Sequence, residues 1–252
     1  MMRAIILAGG LGRRLGPLTH GTQKCLLEIA GETVLARAMR LLSSAGIGDI
    51  TIVTGHCEGL VRAEIARRFA PERVTFVHNS RYDSTSTAYP LWLARFGLNE
   101  AMLLLDGDVV FESAVLTRML TSSDENVIAV STRGAFDDEQ VKVMVDDLGR
   151  VTHIAKSIDP VRAFGEAVGM AILSRATLTH LFPTLERRVI TEDRQNELYE
   201  AAIQELLLGK RLLLRAVDLG GLRCLEIDTF EDLRRARALF DDDAVGKLAL
   251  LP

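Results

Sequence analysis

The chain has 252 residues, 48% of them hydrophobic, enough for one sizeable α/β core without a second. Its net charge of −4 argues against a nucleic-acid surface, because backbone phosphates need a basic face. Cys25, Cys57 and Cys224 are too few and too scattered for a disulfide framework or a zinc site, and are expected as reduced thiols.

Apolar runs bounded by turn residues predict strands at 3–7, 50–54, 73–78 and 101–105. Between and after them, helix-period segments fall at 33–44, 58–68, 88–96 and 113–121. That alternation predicts a parallel sheet covered on both faces. Strands at 126–131, 141–145, 150–154 and 167–173 follow with short connections such as Asp147-Leu148-Gly149, so the excursion over 126–173 reads as antiparallel. Helices at 175–182, 195–207 and 230–240, with strands at 211–217 and 224–227, complete the pattern. The expectation is an α/β, Rossmann-like fold: a mixed, mostly parallel sheet in one domain over residues 1–240, a small strand-rich lobe, and a tail at 241–252. The apolar stretch after Met1-Met2-Arg3 is too short for a signal peptide, and no window reaches the roughly 18 apolar residues of a membrane span. A cytoplasmic protein without nucleic-acid or membrane partners is expected, with room left for a homodimer.

In open α/β sheets ligands sit beyond the carboxyl ends of the strands, which directs attention to the loops after Leu7, His78 and Leu105. The first loop reads Ala8-Gly9-Gly10-Leu11-Gly12-Arg13-Arg14-Leu15. Three glycines in four residues let the backbone approach an anion, and two arginines add forked donors that suit phosphate. Gly-Lys-Ser/Thr is missing, so this is no Walker loop; Leu15 stands where a dinucleotide fingerprint needs its third glycine. The loop after the fourth strand is Asp106-Gly107-Asp108, two carboxylates at a sheet mouth, the donor set that Mg²⁺ shares with substrate phosphates. A solvated Asp-Gly turn is the plain alternative.

Leu7 through Leu15, then Pro17-Leu18-Thr19 and Gln23-Lys24-Cys25-Leu26-Leu27, together resemble the signature of the sugar-phosphate nucleotidyltransferase superfamily. Gln23 replaces that superfamily's proline, which predicts a less rigidly presented lysine. Gly107-Asp108-Val109-Val110-Phe111 resembles its Gly-Asp-x-x-Phe, and Glu226-Ile227-Asp228-Thr229 its Glu-Ile-Asp-Thr. The paired aspartates, with Gln140-Val141-Lys142-Val143, Ala155-Lys156 and Gly165-Glu166, are most similar to the small cytidylyltransferases for phosphocholine, phosphonates and inositol phosphate.

The resemblance implies transfer of CMP from CTP to a small phosphorylated or phosphonate acceptor, with Mg²⁺ as cofactor. It makes Lys24 and Arg14 the catalytic pair and Asp108 and Asp228 the metal ligands. Leu7, Ala8, Gly9, Gly10, Gly12, Arg13, Asn79, Thr85, Ser86 and Asp106 would bind the nucleotide. Lys142, Lys156, Glu166 and Tyr199 would bind the acceptor. Sugar-1-phosphate uridylyl-, thymidylyl- or guanylyltransferases share the loop and the metal pair and remain an alternative. A metal-dependent glycosyltransferase would not need the loop with Lys24, and an inactive nucleotide-sensing relative would not need the full set.

Overall fold

The computed structural model describes residues 2–69, 74–134 and 136–241. β1 (Met2–Ala8) alternates its faces, Ala4, Ile6 and Ala8 entering one core cluster and Ile5 the other. A short hairpin follows, β2 (Glu28–Ile29) and β3 (Glu32–Thr33), and then α1 (Val34–Ser44), whose first turn is capped by the Thr33 hydroxyl accepting from Ala36 N. β4 (Asp49–Thr54), α2 (Glu58–Arg68), β5 (Val74–His78), α3 (Ala88–Leu93) and β6 (Ala101–Asp106) keep the alternation. β7 (Val109–Phe111) and α4 (Ser113–Leu120) lead into β8 (Val127–Ser131), β9 (Lys142–Val145), β10 (Val151–Ala155) and β11 (Gly165–Leu173). Then come α5 (Arg175–Glu186), α6 (Glu200–Leu208), β12 (Arg215–Asp218), β13 (Cys224–Glu226) and α7 (Phe230–Phe240).

Among the described residues one large sheet runs β10-β9-β11-β6-β1-β4-β5, with β8 paired to both β11 and β12. β6, β1, β4 and β5 are parallel, while β11 runs antiparallel to β6, β8 and β9. β11 is therefore the seam: residues 170–173 pair with β6 and residues 165–166 with β9. α1, α2 and α4 pack on one face, and α3, α5 and α6 on the other. Each aliphatic side chain so buried contributes about 1.5–3 kcal/mol. The mixed α/β sheet expected from the sequence is the one the chain forms. No helix among the described residues is long and apolar enough to cross a membrane.

The departures have local causes. The helix expected over 195–207 begins only at Glu200, because residues 195–199 are held by the loop before α3. Ser86 N donates to Gln195 O, Ala88 N to Glu197 O, and Tyr199 N to the Thr87 hydroxyl. The strand expected over 211–217 forms at Arg215–Asp218, where β8 supplies a partner. α5 runs on past its expected end at 182, through Pro183. The strand expected over 73–78 starts on a residue outside those described, as does most of the tail at 241–252.

Candidate functional site

The carboxyl ends of β1 and β6 open into a cavity of about 330 Å³. Gly9 hugs the end of β4, where a Cβ would lie 3.1 Å from the Thr54 carbonyl, and His56 N donates to Gly9 O. Gly12 has φ of 61°, which favours glycine, and a Cβ there would crowd the Lys24 side chain at 3.0 Å. Gln23 is buried; its side chain accepts from Lys24 N at 3.0 Å and donates to His56 O at 3.1 Å. This corrects the expectation from the missing proline: two hydrogen bonds fix the lysine turn.

Gly107 turns the chain at the end of β6, its N–H donating to Leu7 O, and a Cβ would fall 2.7 Å from that oxygen. The next residues pair as β7 with β13, and Ile227 N donates to Asp108 O. That short pairing brings Asp228 beside Asp108 across 120 residues of sequence. α7 begins immediately after it, closed by a capping box between Thr229 and Asp232.

Lys24 Nζ sits between the two aspartates, 3.1 Å from Asp108 Oδ2 and hydrogen-bonded to Asp228 Oδ1. Arg14 Nη2 reaches the same Asp228 oxygen at 2.8 Å. Burial works against the Lys24 charge, but Asp108 and Asp228 outweigh it and hold the ammonium above its ordinary pKa. Around this pair lie more carboxyls than cations. Burial first, then Glu200 and Asp108, pushes Asp106 well up; burial, Asp108 and Asp106 do the same to Glu226. Glu166 is raised to about 7 by burial and by Asp137.

Leu7, Ala8, Gly9, Gly10 and Gly12 form the loop side of the wall, with Arg14 and Lys24. Asn79, Thr85 and Ser86 form the side before α3, where Asn79 Nδ2 donates to the Thr85 hydroxyl. Asp106, Asp108, Asp228, Lys156 and Glu166 also face the cavity. Three residues singled out by sequence are not on this wall. Arg13 turns away to Asp83 O at 3.3 Å and borders a shallow depression with His20 and His56. Lys142 is fully buried, its ammonium donating to Asp137 O at 2.5 Å and Gln140 O at 3.2 Å, so it ties down the segment before β9 behind the cavity wall. Tyr199 is buried with its hydroxyl on Asp106 Oδ2 at 3.2 Å, a partner to the aspartate and not a wall residue.

Sequence reasoning passed over Glu226 as a site residue, and it placed Glu200 beside Tyr199 only at the edge of the expected acceptor pocket. The available signal for Glu226 was its place near the end of an expected strand, two residues before Asp228. Which of Tyr199 and Glu200 enters the cavity depends on where α6 begins, and that the sequence pattern misplaced.

Two aspartates bridged by one ammonium are hard oxygen donors, the set with which Mg²⁺ combines substrate phosphates. Asp106 Oδ1, buried without a partner among the described residues, adds an unmet acceptor nearby. The residues therefore fit such a cation, although no group of three or more His, Cys, Asp or Glu among the described residues forms a complete cage.

Residues 4–219 match the MobA-like NTP transferase domain model. The chain belongs to that family. A CMP-5′-(3-aminopropyl)phosphonate synthase of Streptomyces rubellomurinus is 30% identical over 93% of this chain, which spans only 38% of that protein. A CTP:phosphoglutamine cytidylyltransferase of Campylobacter jejuni is 26% identical over 92% of this chain and 98% of its own length. Among solved folds, the CTP:phosphocholine cytidylyltransferase of Streptococcus pneumoniae superposes with a TM-score of 0.78, covering 95% of this chain and 99% of that one at 20% identity. The shared fold thus extends over nearly the whole chain.

Proposed function

We propose that the chain is a cytidylyltransferase that moves CMP from CTP to a small phosphate or phosphonate acceptor. The observation that carries this reading is the convergence of Arg14, Lys24, Asp108 and Asp228 at the mouth of β1 and β6, against a glycine-rich loop. The two relatives named above, a CMP-phosphonate synthase and a CTP:phosphoglutamine cytidylyltransferase, support the choice of base and acceptor class.

An acceptor phosphoryl or phosphonyl oxygen attacks the α-phosphorus of CTP. A new P–O–P bond forms, the bond from the α-phosphorus to the oxygen bridging to the β-phosphorus breaks, and its electron pair leaves with pyrophosphate. The acceptor enters as an anion, so no covalent help from the protein is needed beyond positioning and charge. The loop N–H groups around Gly9 and Gly10 take the triphosphate oxygens. Arg14 serves the leaving pyrophosphate. Lys24, released from its aspartates as a cation, meets the charge that builds at the α-phosphorus, an interaction worth about 3 kcal/mol in the transition state. Mg²⁺ held by Asp108 and Asp228 would supply further neutralisation of phosphate charge.

A panel of CTP, UTP, GTP, ATP and dTTP against phosphocholine, 2-aminoethylphosphonate, inositol 1-phosphate and glucose 1-phosphate tests the proposal by pyrophosphate release. CTP with a non-sugar acceptor is expected to lead. A lead for UTP, GTP or dTTP with glucose 1-phosphate would replace this reading by a sugar-nucleotide one.

A further inference from the structure

Lys24 owes its place to the residue before it. Gln23 is 2% exposed and borders the cavity. Its Oε1 accepts from Lys24 N at 3.0 Å, and its Nε2 donates to His56 O at 3.1 Å. The first bond caps the helical turn Lys24–Leu26, whose leading N–H has no partner within the turn itself. The second reaches across 33 residues of sequence to the connection between β4 and α2. His56 N in turn donates to Gly9 O at 3.2 Å. The backbone of His56 therefore holds the lysine turn on one side and the glycine-rich loop on the other.

A buried glutamine bonded at both ends would serve packing alone if its partners were remote from the chemistry. Here they are not. The Lys24 stem runs beside Gly12, and its ammonium lies between Asp108 and Asp228. A lysine stem has four flexible carbons, so its head is placed reproducibly only if its base is fixed. Misplacement of a reacting group by about 1 Å costs on the order of 100-fold in rate. Ring geometry is not what fixes the base in this chain. Gln23 has φ of −101°, away from the value of about −65° that a proline ring imposes.

We infer that Gln23 is a positioning residue for the transfer step. Through the His56 backbone it holds Lys24 in register with the glycine-rich loop, so that ammonium and triphosphate meet at the α-phosphorus, and it acts on the reaction only through Lys24. This rests on the cytidylyltransferase reading and adds what orients its lysine.

The test is a double-mutant cycle between Gln23 and Lys24, followed by pyrophosphate release. Gln23→Met keeps the length of the side chain and removes both of its hydrogen bonds. It is expected to lower kcat by about tenfold, with KM for CTP and for the acceptor within about twofold of wild type, the split that marks a group acting in the transition state. In a Lys24→Ala background the same substitution should change kcat by less than about twofold, because the two residues act as one unit. Gln23→Glu, which keeps an acceptor for Lys24 N–H, should retain more of kcat than Gln23→Met. Hydrogen exchange at the Lys24 amide reads the contact in nucleotide-free protein, without turnover. It should quicken by about tenfold in Gln23→Met and by less in Gln23→Glu. Equal losses in the two backgrounds, a raised KM with kcat unchanged, or unaltered exchange in folded Gln23→Met would overturn the inference. Turnover of another NTP in place of CTP, with the non-additivity and the exchange difference intact, would uphold it and overturn the cytidylyltransferase reading instead.

Discussion

On the wall built by the loops after β1 and β6, cations meet counter-charges inside the protein: Lys24 lies between Asp108 and Asp228, and Arg14 rests on Asp228. On the wall built by β10, β11 and the start of α6, Glu200 has one buried oxygen, Oε2, that no group among the described residues meets. The first wall is pre-set by close glycine contacts: a Cβ would be tight at Gly9 and Gly12 and would clash with backbone at Gly107. The second is set by long-range hydrogen bonds to the loop before α3 and by one buried lysine. A wall complete in itself suits phosphate chemistry common to many acceptors, and a wall left incomplete suits the choice among them.

The largest expected effects are on the first wall. Lys24→Ala should lower kcat by about 100-fold or more with every acceptor, while CTP still binds. Asp108→Asn and Asp228→Asn should each remove Mg²⁺-dependent turnover, because asparagine keeps the shape but not the charge a hard cation needs. Calorimetry of Mg·CTP is the check on the pair. Undiminished metal affinity in both variants would place the ligands elsewhere and erase the distinction between the walls.

A smaller effect is expected on the second wall. Lys142→Met leaves Asp137 O and Gln140 O without their donor and loosens the segment that carries Gln140 and Val141 to the cavity. The acceptor KM should rise by about tenfold, with kcat changing less, a split that marks ground-state binding. A change confined to kcat would make Lys142 part of the transition-state machinery.

The smallest effect lies away from both walls and calibrates them. Glu64 on α2 is buried; burial would raise its pKa, but hydrogen bonds from Arg67 and Thr33 and the charges of Arg68 and Arg67 hold it below the ordinary value. A carboxyl depressed in the folded state stabilises above its unfolded pKa of about 4.3 and loses that contribution as pH falls through the folded value. Glu64→Gln should therefore lower Tm at pH 7 and make less difference below about pH 4, with activity ratios between acceptors unchanged. Equal losses at both pH values would mean that Glu64 acts by packing alone.

The first wall was legible because its residues are local in sequence or fixed by strand ends. Three glycines, Arg14 and Lys24 lie within 16 residues, and Asp108 follows an apolar strand. The second wall was not. Lys142 looked like an acceptor ligand because strand position does not say whether a lysine ends in solvent or beneath a turn of carbonyls. Glu200 lines the cavity and Tyr199 does not, because residues 195–199 yielded their helical pattern to backbone hydrogen bonds with Ser86 and Ala88. β7 has three residues, too few for a periodic signal, yet its pairing with β13 joins Asp108 to Asp228.

The most direct measurement is ³¹P NMR of CTP and 2-aminoethylphosphonate incubated with the protein and Mg²⁺. One CMP–phosphonate anhydride and one pyrophosphate are expected for each CTP consumed, with neither formed by Lys24→Ala at comparable times. CTP left intact under conditions where another NTP is consumed, or consumed only to CMP without the anhydride, would contradict the account.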